Sequence, residues 1–117
     1  MARTALTKTT APGAYPTAGT TLTWNDADAA NGNTFPMTGR DLVLVRNGHA
    51  TTAKTYTVTS AADAQGRSKN ITAESVAAGV VRVLGPFRNK NGWAQASNAF
   101  YIDGEDNNVK IAVIVLP

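Results

Sequence analysis

Histidine occurs once in the chain, at His49, directly after Asn47-Gly48. A nucleophilic triad needs a nucleophile on a strained elbow, a base beside it and an acid that orients the base. The sequence has neither a Gly-x-Ser-x-Gly elbow nor a phosphate-cradling glycine loop, so His49 reads as a loop-tip residue. Asp103, Glu105 and Asp106 form the densest acidic cluster. Two carboxylates can serve glycoside hydrolysis when they face each other across a bond, but neighbours within one turn point in different directions. Asp26 and Asp28 have the alternation that opens a calcium loop. The fifth position is Ala30, however, and no bidentate Glu follows at the required spacing. There are no cysteines, which excludes disulfides and thiolate metal sites. The residues thus point to no catalytic, cofactor or metal site, and an enzyme is not expected.

The aromatic residues allow one further chemistry. Trp93 and Tyr101 would make a sugar-stacking platform if coplanar and exposed. Otherwise Trp24, Phe35, Phe87, Trp93 and Phe100 serve as core and edge plugs of a small domain. Eleven basic residues stand against eight acidic ones, giving a net charge of +3. The basic residues are scattered and not interleaved with aromatics, so a nucleic-acid interface is not expected. The longest apolar runs, near Leu42–Val45 and Ile111–Leu116, fall far short of the ~20 residues of a membrane-spanning helix. The opening segment MARTALTKTT lacks the apolar run of a signal peptide.

The 117 residues suit one domain with a real core. Thr, Val, Ala and Asn dominate, a composition that favours strands over helices. Residues 1–20 read as an extended arm, broken by Pro12, Gly13, Pro16 and Gly19. Residues 21–117 read as the β domain. Within it the patterning predicts strands at Thr20–Trp24, Leu42–Val45, Lys54–Ser60, Ile71–Ala73, Val80–Leu84, Trp93–Gln95 and Asn98–Ile102 (a pair or one bent strand) and Val109–Leu116, with Phe35 anchoring the entry to the second of them. Leu42–Val45 and Val109–Leu116 are apolar on both faces. They are expected to be interior, covered on both sides and adjacent. Asn47-Gly48 is a strong signal for a hairpin turn, with His49–Ala53 leaving room for a connection longer than two residues, and Pro86, which has no N–H to donate, ends the strand before it. The expected architecture is all-β: a jelly-roll-like sandwich or barrel of about eight strands with an extended N-terminal arm.

Several segments resemble, in order, a family of small head proteins of tailed bacteriophages. They are the Thr- and Ala-rich opening; Ala30-Asn31-Gly32-Asn33-Thr34-Phe35-Pro36; Gly39-Arg40-Asp41-Leu42-Val43-Leu44-Val45-Arg46-Asn47-Gly48; Val76-Ala77-Ala78-Gly79; Gly85-Pro86-Phe87; and the Val-rich closing strand. The chain departs from that pattern in Asn89–Asn98 and in the turn Asp103–Asn108. The resemblance implies a non-enzymatic capsid decoration, or cement, protein. Such a protein binds the major capsid protein on the outside of the virion and stabilises the shell by bridging neighbouring subunits. It also implies a homo-oligomer, a trimer by preference, with no cofactor, nucleic acid or membrane.

On that reading the arm makes the cross-subunit contacts through Arg3, Leu6, Lys8 and Tyr15, ordering as it binds. Deleting residues 1–16 is then expected to leave a folded domain that no longer binds capsids. The alternatives are a head–tail joining or tail structural protein and a glycan-binding surface module.

Overall fold

The computed structural model describes residues 3–12, 19–61, 70–87, 92–95 and 98–116. Among these the chain is all-β. Its strands are β1 (Thr4–Ala5), β2 (Lys8–Thr10), β3 (Asn25–Asp26), β4 (Asn33–Pro36), β5 (Asp41–Asn47), β6 (Lys54–Thr59), β7 (Ile71–Val76), β8 (Val81–Phe87), β9 (Ala99–Gly104) and β10 (Val109–Val115). Two sheets pack face to face and do not close into a barrel. One has the order β1-β4-β9-β6-β7, the other β2-β10-β5-β8, with β3 also on β10. They are called sheets A and B below. Only β1 and β2 run parallel to their neighbours; the other pairings are antiparallel.

The two strands that read as doubly apolar are neighbours at the centre of sheet B. β5 and β10 pair without a break from Val109↔Asn47 to Val115↔Asp41. Val43, Val45, Ile111 and Val113 point between the sheets and are fully buried. Against them sheet A sets Phe35, Tyr56, Val58, Phe100 and Ile102, also buried. Each such side chain contributes roughly 1.5–3 kcal/mol on leaving water. Phe35 stacks on Phe100 at 4.8 Å, and Phe87 tilts onto Phe100 at 4.7 Å. The cover expected on both faces of β5 is complete on one face and partial on the other. Leu42, Leu44 and Arg46, on the side away from sheet A, are half-buried.

Three local expectations are corrected. The Thr20–Trp24 strand is absent, and regular pairing begins only at Asn25–Asp26. The reason is competition for the β10 edge: β2 occupies it at Val113–Val115. The segment before β3 instead lies beside β2, where Thr23 N–H donates to Thr9 Oγ1 at 3.0 Å. Asn47-Gly48 does not close a hairpin, because β5 belongs to sheet B and β6 to sheet A. It starts an arch between the sheets. The buried Asn47 amide holds that arch by donating to Thr52 O and Val76 O, both at 2.8 Å. Finally, β7 runs on to Val76 and β8 to Phe87, further than the patterning predicts.

Residue 20 does not mark a break between arm and body. Residues 4–10 run from sheet A into sheet B, and Leu6 at the crossing is only 6% exposed. Leu6 N–H donates to Thr34 O at 2.9 Å, and Thr4 N–H to Gly32 O at 3.0 Å. At the crossing the Asn25 amide takes the place of a missing strand. It accepts from Thr7 N–H and donates to Thr7 O, each at 3.1 Å, and donates to Ile111 O at 3.0 Å. This strap closes one open side of the sandwich. Its removal would uncover the core, so the expectation of a folded domain after deletion of residues 1–16 gives way to one of a destabilised domain. Leu6→Ala is expected to cost about 2–4 kcal/mol. Chemical denaturation of the purified protein measures it, with Ala5→Ser, at an exposed strap position, as the neutral comparison.

Candidate functional site

Of the four residues singled out for partner contact, Arg3, Leu6 and Lys8 lie on the strap; Tyr15 lies outside the described residues. Arg3 reaches across β4 to β9. Its guanidinium donates to Asp103 Oδ1 at 2.9 Å and Oδ2 at 3.3 Å, and lies 4.1 Å from the centre of the Tyr101 ring. Gly32, at φ +77°, makes room for this: a Cβ there would collide with both the Asp103 carboxylate and the Arg3 guanidinium. That is a physical reason for glycine after Asn31.

Lys8 meets a different need. Asp41 is fully buried at the start of β5, where a carboxylate without partners is costly. The β4–β5 turn supplies two donors, Thr38 N–H to Oδ2 at 2.8 Å and Thr38 Oγ1 to Oδ1 at 3.0 Å. Lys8 adds the positive charge, with Nζ 3.4 Å from Oδ1. It also donates to Pro36 O and lies 5.1 Å from the Phe35 ring centre. The three described strap residues are therefore bound within their own sandwich.

The Asp28–Asn33 turn fastens the strap from outside. Asp28 Oδ1 accepts from Ala30 and Asn31 N–H at 3.2 Å each, and Oδ2 accepts from Asn31 Nδ2 at 3.1 Å and from the Thr4 hydroxyl. These bonds, the Thr4 hydroxyl first, hold the Asp28 carboxyl below the ordinary carboxylate range. Asp26 pairs with Lys110 at 2.7 Å. The two aspartates read as the opening of a calcium loop thus have different duties, one in a turn and one in an ion pair.

The acidic cluster is likewise divided. Asp103 belongs to Arg3, Asp106 to Lys54 at 2.8 Å, and Glu105 Oε1 accepts from Thr55 N–H at 3.0 Å. Lys54 lowers the Asp106 pKa, and Asp106 in turn raises that of Lys54. His49 is half-buried, not a free loop tip. Its Nδ1 accepts from Thr51 and Thr52 N–H at 3.1 and 3.0 Å, which assigns the proton to Nε2 in the neutral ring. It shapes the arch between β5 and β6.

The aromatic platform is not assembled. Trp93 is half-buried, edge-on to Phe87 at 5.5 Å, and Tyr101 carries the Arg3 guanidinium on its face. Trp24 is capped in the same way by Arg46, at 4.8 Å.

The opposite side of the sandwich is closed by charge. Arg82 stands opposite Val45, and Glu74 opposite Tyr56, so both point inward from the edge strands β8 and β7. They form an ion pair across the gap over Tyr56. Burial, and then the Glu74 charge, push the Tyr56 phenol up. Inward-pointing charges on edge strands discourage edge-to-edge pairing, and Pro86 adds a missing donor on β8.

What the sequence reading missed is the outer face of sheet B. Val83 stands opposite Leu44, and Leu44 opposite Ala112; Leu42 stands opposite Ile114. These residues share the face turned away from sheet A; Ala112 on β10 is covered, whereas on β8 Val83 is 60% exposed and Val81 42%. The outer face of sheet A carries Thr55, Thr57 and Thr59 instead. The double-sided apolarity of β5 was the signal: one face serves the core, and the other remains partly open.

The chain matches no family model, no curated protein and no solved structure.

The strap anchors generate two expectations. Lys8→Ala, which leaves the Asp41 carboxylate without its cation, should lower stability by about 2 kcal/mol. Adding Asp41→Asn should recover part of the loss in a denaturation double-mutant cycle. Asp28 and Asp106 have depressed pKa values, so their contribution is complete above the unfolded carboxylate range. It is lost as pH falls through their lower folded values. The melting temperature should hold level from neutrality to about pH 5 and drop below about pH 4, and Asp28→Asn should flatten that drop in a scan of melting temperature against pH.

Proposed function

We propose that the chain is a structural virion protein of the capsid-decoration type, binding the outside of a phage shell and bridging neighbouring major capsid proteins. The observation that carries this reading is the ordered run of family-like segments. They supply load-carrying parts of the sandwich. Asn31-Gly32 seats the Arg3–Asp103 pair, and Phe35-Pro36 gives β4 its core anchor. Gly39–Gly48 spans the whole of β5, and Gly85-Pro86-Phe87 ends β8 on the buried Phe87.

The chemistry supports a binding role. The carboxylates of the two acidic groups read from the sequence are each engaged by a cation or a turn, and His49 is tied to its own loop. The engaged aromatics weigh against the glycan-binding alternative, and no feature of the fold favours a head–tail or tail role over decoration. Arg3, Leu6 and Lys8 are engaged within the sandwich, so this reading assigns the bridging contact to another surface.

A small subunit of this kind gains hold on a shell by attaching at many equivalent places. It stabilises the lattice form that it binds. The test is to mix the purified protein with expanded capsids assembled from the major capsid protein of the same phage. The protein should co-sediment with the particles, add density on their exterior in electron micrographs and raise their disruption temperature. Particles that remain bare at micromolar protein would overturn the reading, and density confined to a single vertex would replace it with the head–tail alternative.

A further inference from the structure

We infer that the outer face of sheet B is the docking surface, and that it receives a protein surface with an apolar centre and an acidic rim. This rests on the decoration reading and gives it an address. The centre of the face is Leu42, Leu44, Val81 and Val83, from the adjacent strands β5 and β8. Val81 and Val83 are 42% and 60% exposed, with Val80 at 41% beside them. These are the large hydrophobic side chains most exposed among the described residues. A cluster of apolar side chains on one face of a sheet whose counterpart is rich in threonine marks an interaction site and not random exposure.

Approach along the strand edge is hindered. The free edge of β8 carries inward-pointing Arg82 and the donorless Pro86. The partner therefore meets the sheet face-on, through side chains.

The charges decide what kind of partner it is. The described carboxylates are committed within the molecule: Asp26 to Lys110, Asp41 to Lys8, Glu74 to Arg82, Asp103 to Arg3, Glu105 and Asp106 to Lys54, and Asp28 to the strap and its own turn. Among the described residues two cations, Arg40 and Arg46, pair with no described carboxylate. Arg40 precedes β5 at one end, exposed. Arg46 stands on the outer face at the other end, opposite Lys110 and Val81. Its guanidinium lies over the Trp24 ring, 4.8 Å from the centre. A second copy meeting the same face two-fold would set these cations against their own kind. A partner with carboxylates around an apolar centre matches both the middle and the ends.

The test uses expanded capsids of the major capsid protein alone as the probe, with Val83→Asp and Arg40→Glu. Both positions are exposed, so both variants should keep the wild-type circular dichroism and melt within a few degrees of it. Each should bind roughly tenfold more weakly or worse. Binding by the wild type should weaken as salt rises, and Arg40→Glu should blunt that dependence. Ser75→Asp, on the exposed face of β7, should bind as the wild type does. If Val83→Asp melts early, Val81→Asp reports the same surface.

Wild-type binding with unchanged affinity in the Val83 and Val81 variants overturns the inference and leaves the decoration reading standing. A wild-type oligomer that Val83→Asp dissociates also overturns it, because the face then pairs copies of the chain. Failure of the wild type to bind capsids removes the decoration reading and the inference with it.

Discussion

Two sheets laid face to face leave two open flanks, and closing them is the constraint on which this sandwich depends. The inner faces provide apolar area, but a core reached by water from the sides loses part of that gain. The flanks are closed by different means. On one, the strap carries the chain from sheet A to sheet B and inserts Leu6 at the crossing, with Arg3 and Lys8 fixing its ends on Asp103 and Asp41. On the other, Arg82 and Glu74 meet over Tyr56. The first closure seals by burial and orders a segment that composition alone reads as loose. The second seals with a charge pair and keeps the edges of β7 and β8 from recruiting other strands.

The same economy of charge runs through the surface. Carboxylates in this chain mostly fasten segments distant in sequence: Asp103 to the strap, Asp26 to β10, and Asp106 to the beginning of β6. Exposed ion pairs contribute little individually, so their value here is in register and closure. Buried polar groups are more demanding. Asp41, Asn33 and Asn47 are almost wholly inaccessible, and each stands at a strand end where the chain turns or passes between sheets. Their side chains satisfy backbone groups that no neighbouring strand reaches.

Strand content and the core were legible in the sequence because alternation and apolar runs depend only on the pleat. β5 and β10, the inward set Phe100 and Ile102, and the packing of Phe87 could all be read from side-chain periodicity. Connections were less legible. Asn47-Gly48 has the local chemistry of a hairpin, yet local chemistry cannot say whether the next strand stays in the same sheet. The strap was read as a free arm because its anchors are nearly a chain length away: neither Asp103 for Arg3 nor Ile111 for Asn25 is visible from local pattern. The outer face of sheet B was hidden by a reasonable inference, that a strand apolar on both sides is covered on both sides. Polar residues at strand ends were also passed over, since a buried Asp and a solvated Asp look the same in sequence.

The pairing of β2 with β10 has a consequence for how the molecule comes into being. Lys8–Thr10 lie in register with Val113–Val115, so an early strand docks on one about a hundred residues further along the chain. β2 has no partner in sheet B until β10 is present, and its threonines and lysine suit that wait because they remain soluble while unattached. Contacts of such long sequence separation close late and slowly. β10 lies between β5 and the strap, so sheet B is not whole until β10 joins the two.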